Sequence, residues 1–419
     1  CRFWAVNHSV PDALGIMLGT PAGNIIHTGD IKLDQTPLDN RPTDLPALSR
    51  YGDEGVDLML CDSTNATVPG VSASEGDIPA NFKRLVAGAK QRVILASFAS
   101  NVYRVQAAID AAVANGRKVA FNGRSMMRNM EIAEKMGFLK VPRGTIIPID
   151  ESAKMAPHKT MLITTGTQGE PMAALSRMAR REHRQITVRD GDTIIFSSSL
   201  IPGNEEAVYG VINMLSQIGV NVITNQDVKV HASGHGYAGE LLFLYNAARP
   251  RNAMPVHGEW RHLVANADLA IATGVPADRV VLAEDGVVVD LVDGVARVAG
   301  AVPCGYVYVD GSNVGEADED LLKDRRILRD EGFVSVIVVV DSSTGSIVAG
   351  PHITARGVAE GEEIFEQVRP RILEALAEAA AKGVGDQHQL QQAVRRAVGG
   401  WMGGKIRRRP MIIPVVIEA

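Results

Sequence analysis

Between residues 76 and 226, short apolar runs alternate with amphipathic stretches of helical period, and this alternation limits the fold more than any other feature of the sequence. The runs 92–96, 118–121, 160–164 and 193–197 predict strands. The stretches 81–90, 101–115, 125–136, 171–180 and 205–218 predict helices. A strand that must pass through a helix before the next strand pairs in parallel. Its sheet is then covered on both faces, so its strands read as nearly continuous apolar runs rather than as alternating ones.

The flanks read differently. Residues 1–67 give short strands at 15–20, 24–28 and 56–61, with a Pro/Gly turn at 20–24 joining the first two. After the α/β stretch, strands are expected at 220–224, 228–230 and 253–256, with a helix at 240–247 and Gly-containing turns within 278–310. The charged segment 312–330 reads as a linker. Residues 331–419 carry their own pattern: a β-branched central strand at 333–340, a hairpin partner at 346–348, a long Ala-rich helix at 362–382, a second helix at 387–398 and an edge strand at 410–417. The expected domains are therefore 1–75 and 227–311 as two parts of one domain, 76–226 inserted between them, the linker, and an α+β domain over 331–419.

A chain of 419 residues needs more than one core. Its net charge of −5 argues weakly against a nucleic-acid binder, but a local basic channel can sit on an acidic protein. The three cysteines, Cys1, Cys61 and Cys304, form no C-x-x-C pair, which points to a reducing cytoplasm rather than a disulfide framework. No apolar run reaches transmembrane length, so no membrane partner is expected. Residues 1–12 have neither a basic nor an apolar leader region and read as the interior of a domain, so the chain is expected to begin mid-protein.

Polar residues gather just after the strands, where an α/β scaffold exposes functional groups. The segments are Asn7-His8-Ser9-Val10-Pro11-Asp12, His27-Thr28-Gly29-Asp30, Cys61-Asp62-Ser63-Thr64-Asn65, His231-Ala232-Ser233-Gly234-His235 and Pro255-Val256-His257-Gly258-Glu259. Any one histidine at a strand end is more often a structural residue than a ligand. Imidazoles and carboxylates at successive strand ends suit zinc. Ser100 or Asn101 reads equally as the N-cap of the following helix and as a phosphate contact, since helix N-termini attract anions. Arg177, Arg180, Arg181, Arg184 and Arg189 could line an RNA path or form a solvated face. The methionines 126, 127, 130 and 136 read as helix packing.

These segments, together with Ser97-Phe98-Ala99-Ser100-Asn101 and Thr165-Gly166-Thr167-Gln168-Gly169-Glu170-Pro171, resemble in type and order those of the ribonuclease J family, from residue 1 through to 407–417. The resemblance implies an α/β fold: part of a metallo-β-lactamase αββα domain, an inserted parallel β-CASP domain and a small C-terminal α+β domain. It implies a zinc-dependent 5′–3′ exoribonuclease with endonuclease action, serving RNA maturation and decay. His8 would ligate one of two zinc ions, Asp30 would bridge them and His257 would ligate the second. The metals would activate water and offset the charge that develops on the phosphate. Asp62, His235 and His257 would match the three β-CASP motifs, with Asp62 orienting His235 and His235 contacting phosphate or moving a proton. His231, Ala232, Ser233, Gly234 and His235 would bind the substrate phosphate, and Ser100 and Asn101 the terminal nucleotide. Asp310 resembles a calcium ligand, although a turn aspartate is the favoured reading. RNA with a 5′-monophosphate, a homodimer or homotetramer, and an RNA-degradation complex would be the partners.

One element of that family pattern, H-x-H-x-D-H, is not found around any of the ten histidines. The expectation is that it lies upstream of residue 1 and that this stretch by itself is inactive. The alternative is a catalytically incompetent RNA-binding or scaffold protein of the same fold.

Overall fold

The computed structural model describes residues 1–201, 203–310, 313–314, 319–341, 344–358 and 362–419. It contains two compact units, Cys1–Pro303 and Cys304–Ala419.

The first unit opens with strands β1 (Arg2–Ala5), β2 (Leu14–Thr20), β3 (Gly23–His27) and β4 (Leu58–Asp62). β1, β2 and β3 form an antiparallel meander. Its tight turn is fixed by Thr20 Oγ1, which accepts from Ala22 N and donates to the Gly23 carbonyl. Helix Leu45–Glu54, capped by Asp44, carries the chain across so that β4 lies parallel to β3.

The chain then builds a second sheet from β5 (Val93–Ser97), β6 (Lys118–Asn122), β7 (Thr160–Thr164), β8 (Thr193–Ser197) and β9 (Asn221–Ile223). It is wholly parallel, in the order β6-β7-β5-β8-β9. Every residue of β5, β7 and β8 is buried. Alternate residues feed two cores. Val93, Leu95, Met161, Ile163 and Ile195 pack with Phe82, Val105 and Ile109. Ile94, Ala96, Leu162, Ile194 and Phe196 pack with Leu175, Val208 and Leu215. Each fully buried aliphatic side chain of this kind contributes roughly 1.5–3 kcal/mol, which explains why these strands read as unbroken apolar runs.

Strand β10 (Asn252–Val256) returns to the first sheet beside β4, in parallel, with Val256 opposite Asp62. β3, β4 and β10 thus run the same way and end on one edge. A ribbon of β11 (Val287–Val292) and β12 (Val295–Ala301) closes the unit through a turn at Asp293-Gly294, both at positive φ.

In the second unit, β13 (Val309–Asp310) pairs with β14 (Asn313–Val314), and a three-stranded sheet runs β16-β15-β17 from β15 (Phe333–Val340), β16 (Ile347–Arg356) and β17 (Met411–Glu418). Val334, Val336, Val338 and Val340 pack on Ile372, Leu376, Val394, Val398 and Trp401.

Several elements differ from expectation. Within the charged segment read as a linker, Asn313–Val314 forms β14 and Glu319–Asp330 forms a helix whose described side chains are nearly all exposed. The segment 362–382 is not one helix: a 3-10 turn, Glu362–Gln367, precedes helix Arg369–Ala381. Pro370 sits in the first turn of the latter, where its missing N–H costs nothing, so the helix starts there. The following helix runs on to Lys405. Residues 228–230 join no sheet because side chains take their backbone groups: Asn225 Oδ1 accepts from Val230 N, and Ser197 Oγ donates to the Val230 carbonyl. No helix among the described residues is long and apolar enough to cross a membrane.

Candidate active site

The parallel run of β3, β4 and β10 decides which side chains meet. Asp30 follows β3, Asp62 ends β4 and His257 follows β10. His8 comes from the loop after β1, and His235 from the loop that leads back from the second sheet. These five residues, all of them sequence candidates, converge.

Asp30 faces two imidazoles with different oxygens. Its Oδ2 lies 3.6 Å from His8 Nε2 and its Oδ1 lies 3.6 Å from His257 Nδ1. Two ligands each ~2.0–2.1 Å from one zinc ion at a tetrahedral angle stand roughly 3.3 Å apart, so both spacings are close to those of ligands sharing an ion. His8 donates from Nδ1 to the Gly234 carbonyl, 2.9 Å away, which leaves its Nε2 lone pair turned toward Asp30. Burial pushes the His8 pKa below its ordinary value and so favours the neutral ring a metal requires, although the Gly234 carbonyl and Asp30 oppose the shift. His8 and Asp30 therefore fit zinc, and His257 fits it once Nδ1 gives up the proton it shares with Asp62. The groups His8–Asp30–His235 and Asp62–His235–His257 each bring one ligand atom per residue within 4.8 Å of one another.

Asp62 is 2% exposed. Its Oδ2 accepts from His235 Nδ1 at 2.6 Å and from Ile31 N. Its Oδ1 accepts from Thr64 N and lies 3.4 Å from His257 Nδ1. Burial works against ionisation here, but the bonds from His235 and His257 outweigh it and hold the carboxyl well below the usual range. With Nδ1 committed to Asp62, His235 keeps Nε2 for other partners. Its ring lies edge-on to His8 and stacks on His257, with centroids at 4.9 and 5.4 Å. His257 has φ +59, a left-handed conformation rarely adopted by a residue with a Cβ. Its pKa is raised, first by the bond to Asp62.

Segment 231–235 passes beneath this group. A Cβ on Gly234 would come 2.7 Å from His8 Nδ1, so only glycine fits there. Ser233 is held at its carbonyl by Lys32 Nζ and at its hydroxyl by Asn65 Nδ2 and His235 N. Ala232 is buried. His231 is set apart from the other imidazoles. Its Nδ1 accepts from Arg104 Nη1 at 3.1 Å, and burial together with the Arg104 charge pushes its pKa down to about 3.

Asn101 caps helix Val102–Ala114 by accepting from Arg104 N, while Ser100 is exposed beside it. Of the basic run, Arg180 pairs with Glu182, and Arg177 Nη2 donates to the Glu182 carbonyl. Met126 and Met130 are buried, whereas Met127 and Met136 are exposed. The Asp310 side chain lies outside the described residues.

Three residues with a clear part in this geometry were not singled out from the sequence. Lys32 is buried and paired with Asp34 at 3.3 Å. Arg104 is 1% exposed, pairs with Glu75, and bonds Ser197, Val230 and His231. Asn65 lay within a quoted segment but was given no role. Only Asn65 and Lys32 had a signal, their closeness to Asp62 and Asp30.

A mixed sheet whose parallel strands end in imidazoles and carboxylates, with a parallel α/β domain inserted, defines a metallo-β-lactamase/β-CASP protein. Comparison with known proteins agrees. Residues 90–215 match the ribonuclease J beta-CASP domain, 222–280 the Zn-dependent metallo-hydrolase RNA specificity domain and 320–419 the ribonuclease J C-terminal domain. The chain is 66% identical over 417 residues to ribonuclease J of Corynebacterium glutamicum, 58% identical over 418 to that of Mycolicibacterium smegmatis and 39% identical over 417 to that of Thermus thermophilus. At least 99% of the chain is covered each time, against 58%, 75% and 71% of the respective relatives. The chain belongs to the ribonuclease J family.

Proposed function

We propose that this chain forms the substrate cleft of a metal-dependent ribonuclease that hydrolyses RNA phosphodiesters from the 5′ end and also cuts internally, with a preference for 5′-monophosphorylated RNA. The observation that carries this reading is Asp30 turning one carboxylate oxygen to His8 and the other to His257. In this reading His8 and His257 would each hold a zinc ion, with Asp30 offering a carboxylate oxygen toward each. Bound there, the metals supply Lewis acidity and water activated at neutral pH. Asp62 orients His235, whose Nε2 holds or hands over a proton at the phosphate. Ser233 and the Gly234 backbone receive the phosphate. Ser100 meets the terminal nucleotide beside Asn101, whose buried side chain caps the helix, and Asp310 is a lesser candidate for calcium. His8, Asp30 and His257 divided between two ions leave each short of four ligands, so the 419 residues by themselves do not turn RNA over. Turnover needs the H-x-H-x-D-H block in the same polypeptide. The setting proposed is cytoplasmic, as a homodimer or homotetramer and within an RNA-degradation complex.

The test is cleavage of 5′-monophosphorylated RNA by the enzyme carrying that block, with and without a chelator, and in Asp30→Asn. The expected outcome is metal-dependent release of mononucleotides, at least about a hundredfold slower in the variant. Undiminished cleavage after chelation excludes the reading. RNA binding with no cleavage by the intact enzyme favours a scaffold protein instead.

A further inference from the structure

The hydroxyl of Ser233 is surrounded in a way that fixes what it can do. Asn65 Nδ2 donates to Ser233 Oγ at 2.8 Å, and the His235 backbone N–H donates to the same oxygen at 3.1 Å. A hydroxyl has two acceptor positions and one proton. Both acceptor positions are filled, and among the described residues no hydrogen bond is donated by this hydroxyl. The orientation of the Asn65 amide is not arbitrary, because its Nδ2 also lies 3.1 Å from the His235 carbonyl oxygen, which can only accept. The Ser233 carbonyl is held in turn by Lys32 Nζ at 3.2 Å, so the residue cannot turn away. Ser233 is partly exposed, and its neighbour Gly234 packs on His8.

We infer that Asn65 is a positioning residue, which commits the Ser233 hydroxyl to donate its proton to a phosphate oxygen of the substrate. The inference rests on the ribonuclease reading and names how its phosphate cradle is poled. Asn65 touches no substrate itself. It removes the choice a free hydroxyl would have between donating and accepting, so the group meets an anion already turned the right way.

Asn65→Asp inverts the arrangement at nearly constant shape. A carboxylate can only accept, so it captures the Ser233 proton and removes it from the substrate. The test is a double-mutant cycle on binding, read by fluorescence anisotropy in metal-free buffer with the intact enzyme carrying the H-x-H-x-D-H block and a 3′-labelled RNA bearing a 5′-monophosphate. The same RNA with a 5′-hydroxyl distinguishes a terminal from an internal phosphate as the one held. In the wild-type background Ser233→Ala is expected to weaken binding about tenfold, as for a lost hydrogen bond to a charged group. In the Asn65→Asp background Ser233→Ala is expected to change binding by less than about twofold, because the hydroxyl no longer faces the ligand. The cycle subtracts the repulsion from the added carboxylate. Asn65→Ala removes the donor without supplying an acceptor, so there Ser233→Ala is expected to have an intermediate effect; this arm decides the matter if Asn65→Asp does not fold. An equal loss from Ser233→Ala in every folded background overturns the inference, as does no loss in the wild type. An intact wild-type enzyme that binds neither RNA instead counts against the ribonuclease reading on which the inference rests.

Discussion

The two sheets of the first unit end on edges of different chemistry. The edge of β3, β4 and β10 collects titratable groups that could hold a metal ion: Asp30, Asp62 and His257, with His8 and His235 beside them. The parallel edge of the second sheet collects amides and hydroxyls. Asn101 caps a helix. Gln168, after β7, donates to the Ser199 carbonyl and accepts from Ile201 N, tying two loops together. Both edges obey the same rule, that a parallel sheet gathers polar groups at its carboxyl end. The difference teaches that the rule finds the edge but not its work. In the proposed function the first edge changes bonds, while the second holds a shape through caps and loop ties. Arg104 joins the two. It rises from the helix after β5 and bonds Glu75 on the outward crossover and Val230 and His231 on the return.

Breaking that junction should have the largest effect. Arg104→Met leaves the Glu75 carboxylate buried without a partner and is expected to destabilise the first unit by about 3–5 kcal/mol. Adding Glu75→Gln should recover much of this, measured as the denaturation midpoint of each variant. If Arg104→Met alone costs under about 1 kcal/mol, the two edges are not held together there.

A smaller effect concerns acid. His231, next to Arg104, titrates at about 3 in the fold against 6.5 ordinarily. Between those values the unfolded chain takes up a proton that the native chain refuses, so stability is lost as pH falls from about 6.5 toward 3. Replacing the ring by His231→Gln should flatten this limb of the stability–pH curve and leave the curve above pH 7 with the same slope. A limb of unchanged steepness would show that His231 is not the group refusing the proton.

The smallest effect should sharpen the comparison within the second edge. Asn101→Ala removes a helix cap and is expected to cost about 1 kcal/mol of stability. Ser100→Ala, exposed and outside the cap bond, is expected to leave stability within about 0.5 kcal/mol and to weaken RNA binding. The opposite pattern, in thermal melts and binding isotherms, would exchange their roles.

The legible part of the molecule was the part governed by period and by strand ends. Uninterrupted apolar runs announced the parallel sheet because β5, β7 and β8 are covered on both faces. Asp30, Asp62 and His257 could be picked out because each follows an apolar strand directly. Arg104 could not. Its helix reads as any amphipathic helix, and its burial comes from a meeting of two crossovers far apart in sequence. Helix Glu319–Asp330 was hidden for the opposite reason. Eight of its twelve residues are charged, so its four aliphatic residues, Leu321, Leu322, Ile327 and Leu328, read as part of a charged run.

The claim at the centre is that the first edge cuts and does not merely bind. Cleavage and equilibrium binding of 5′-monophosphorylated RNA, measured side by side for the intact enzyme and His257→Ala, test it most directly. The account predicts cleavage reduced at least about a hundredfold with binding kept within about threefold. Cleavage at the wild-type rate in a folded His257→Ala protein would contradict it.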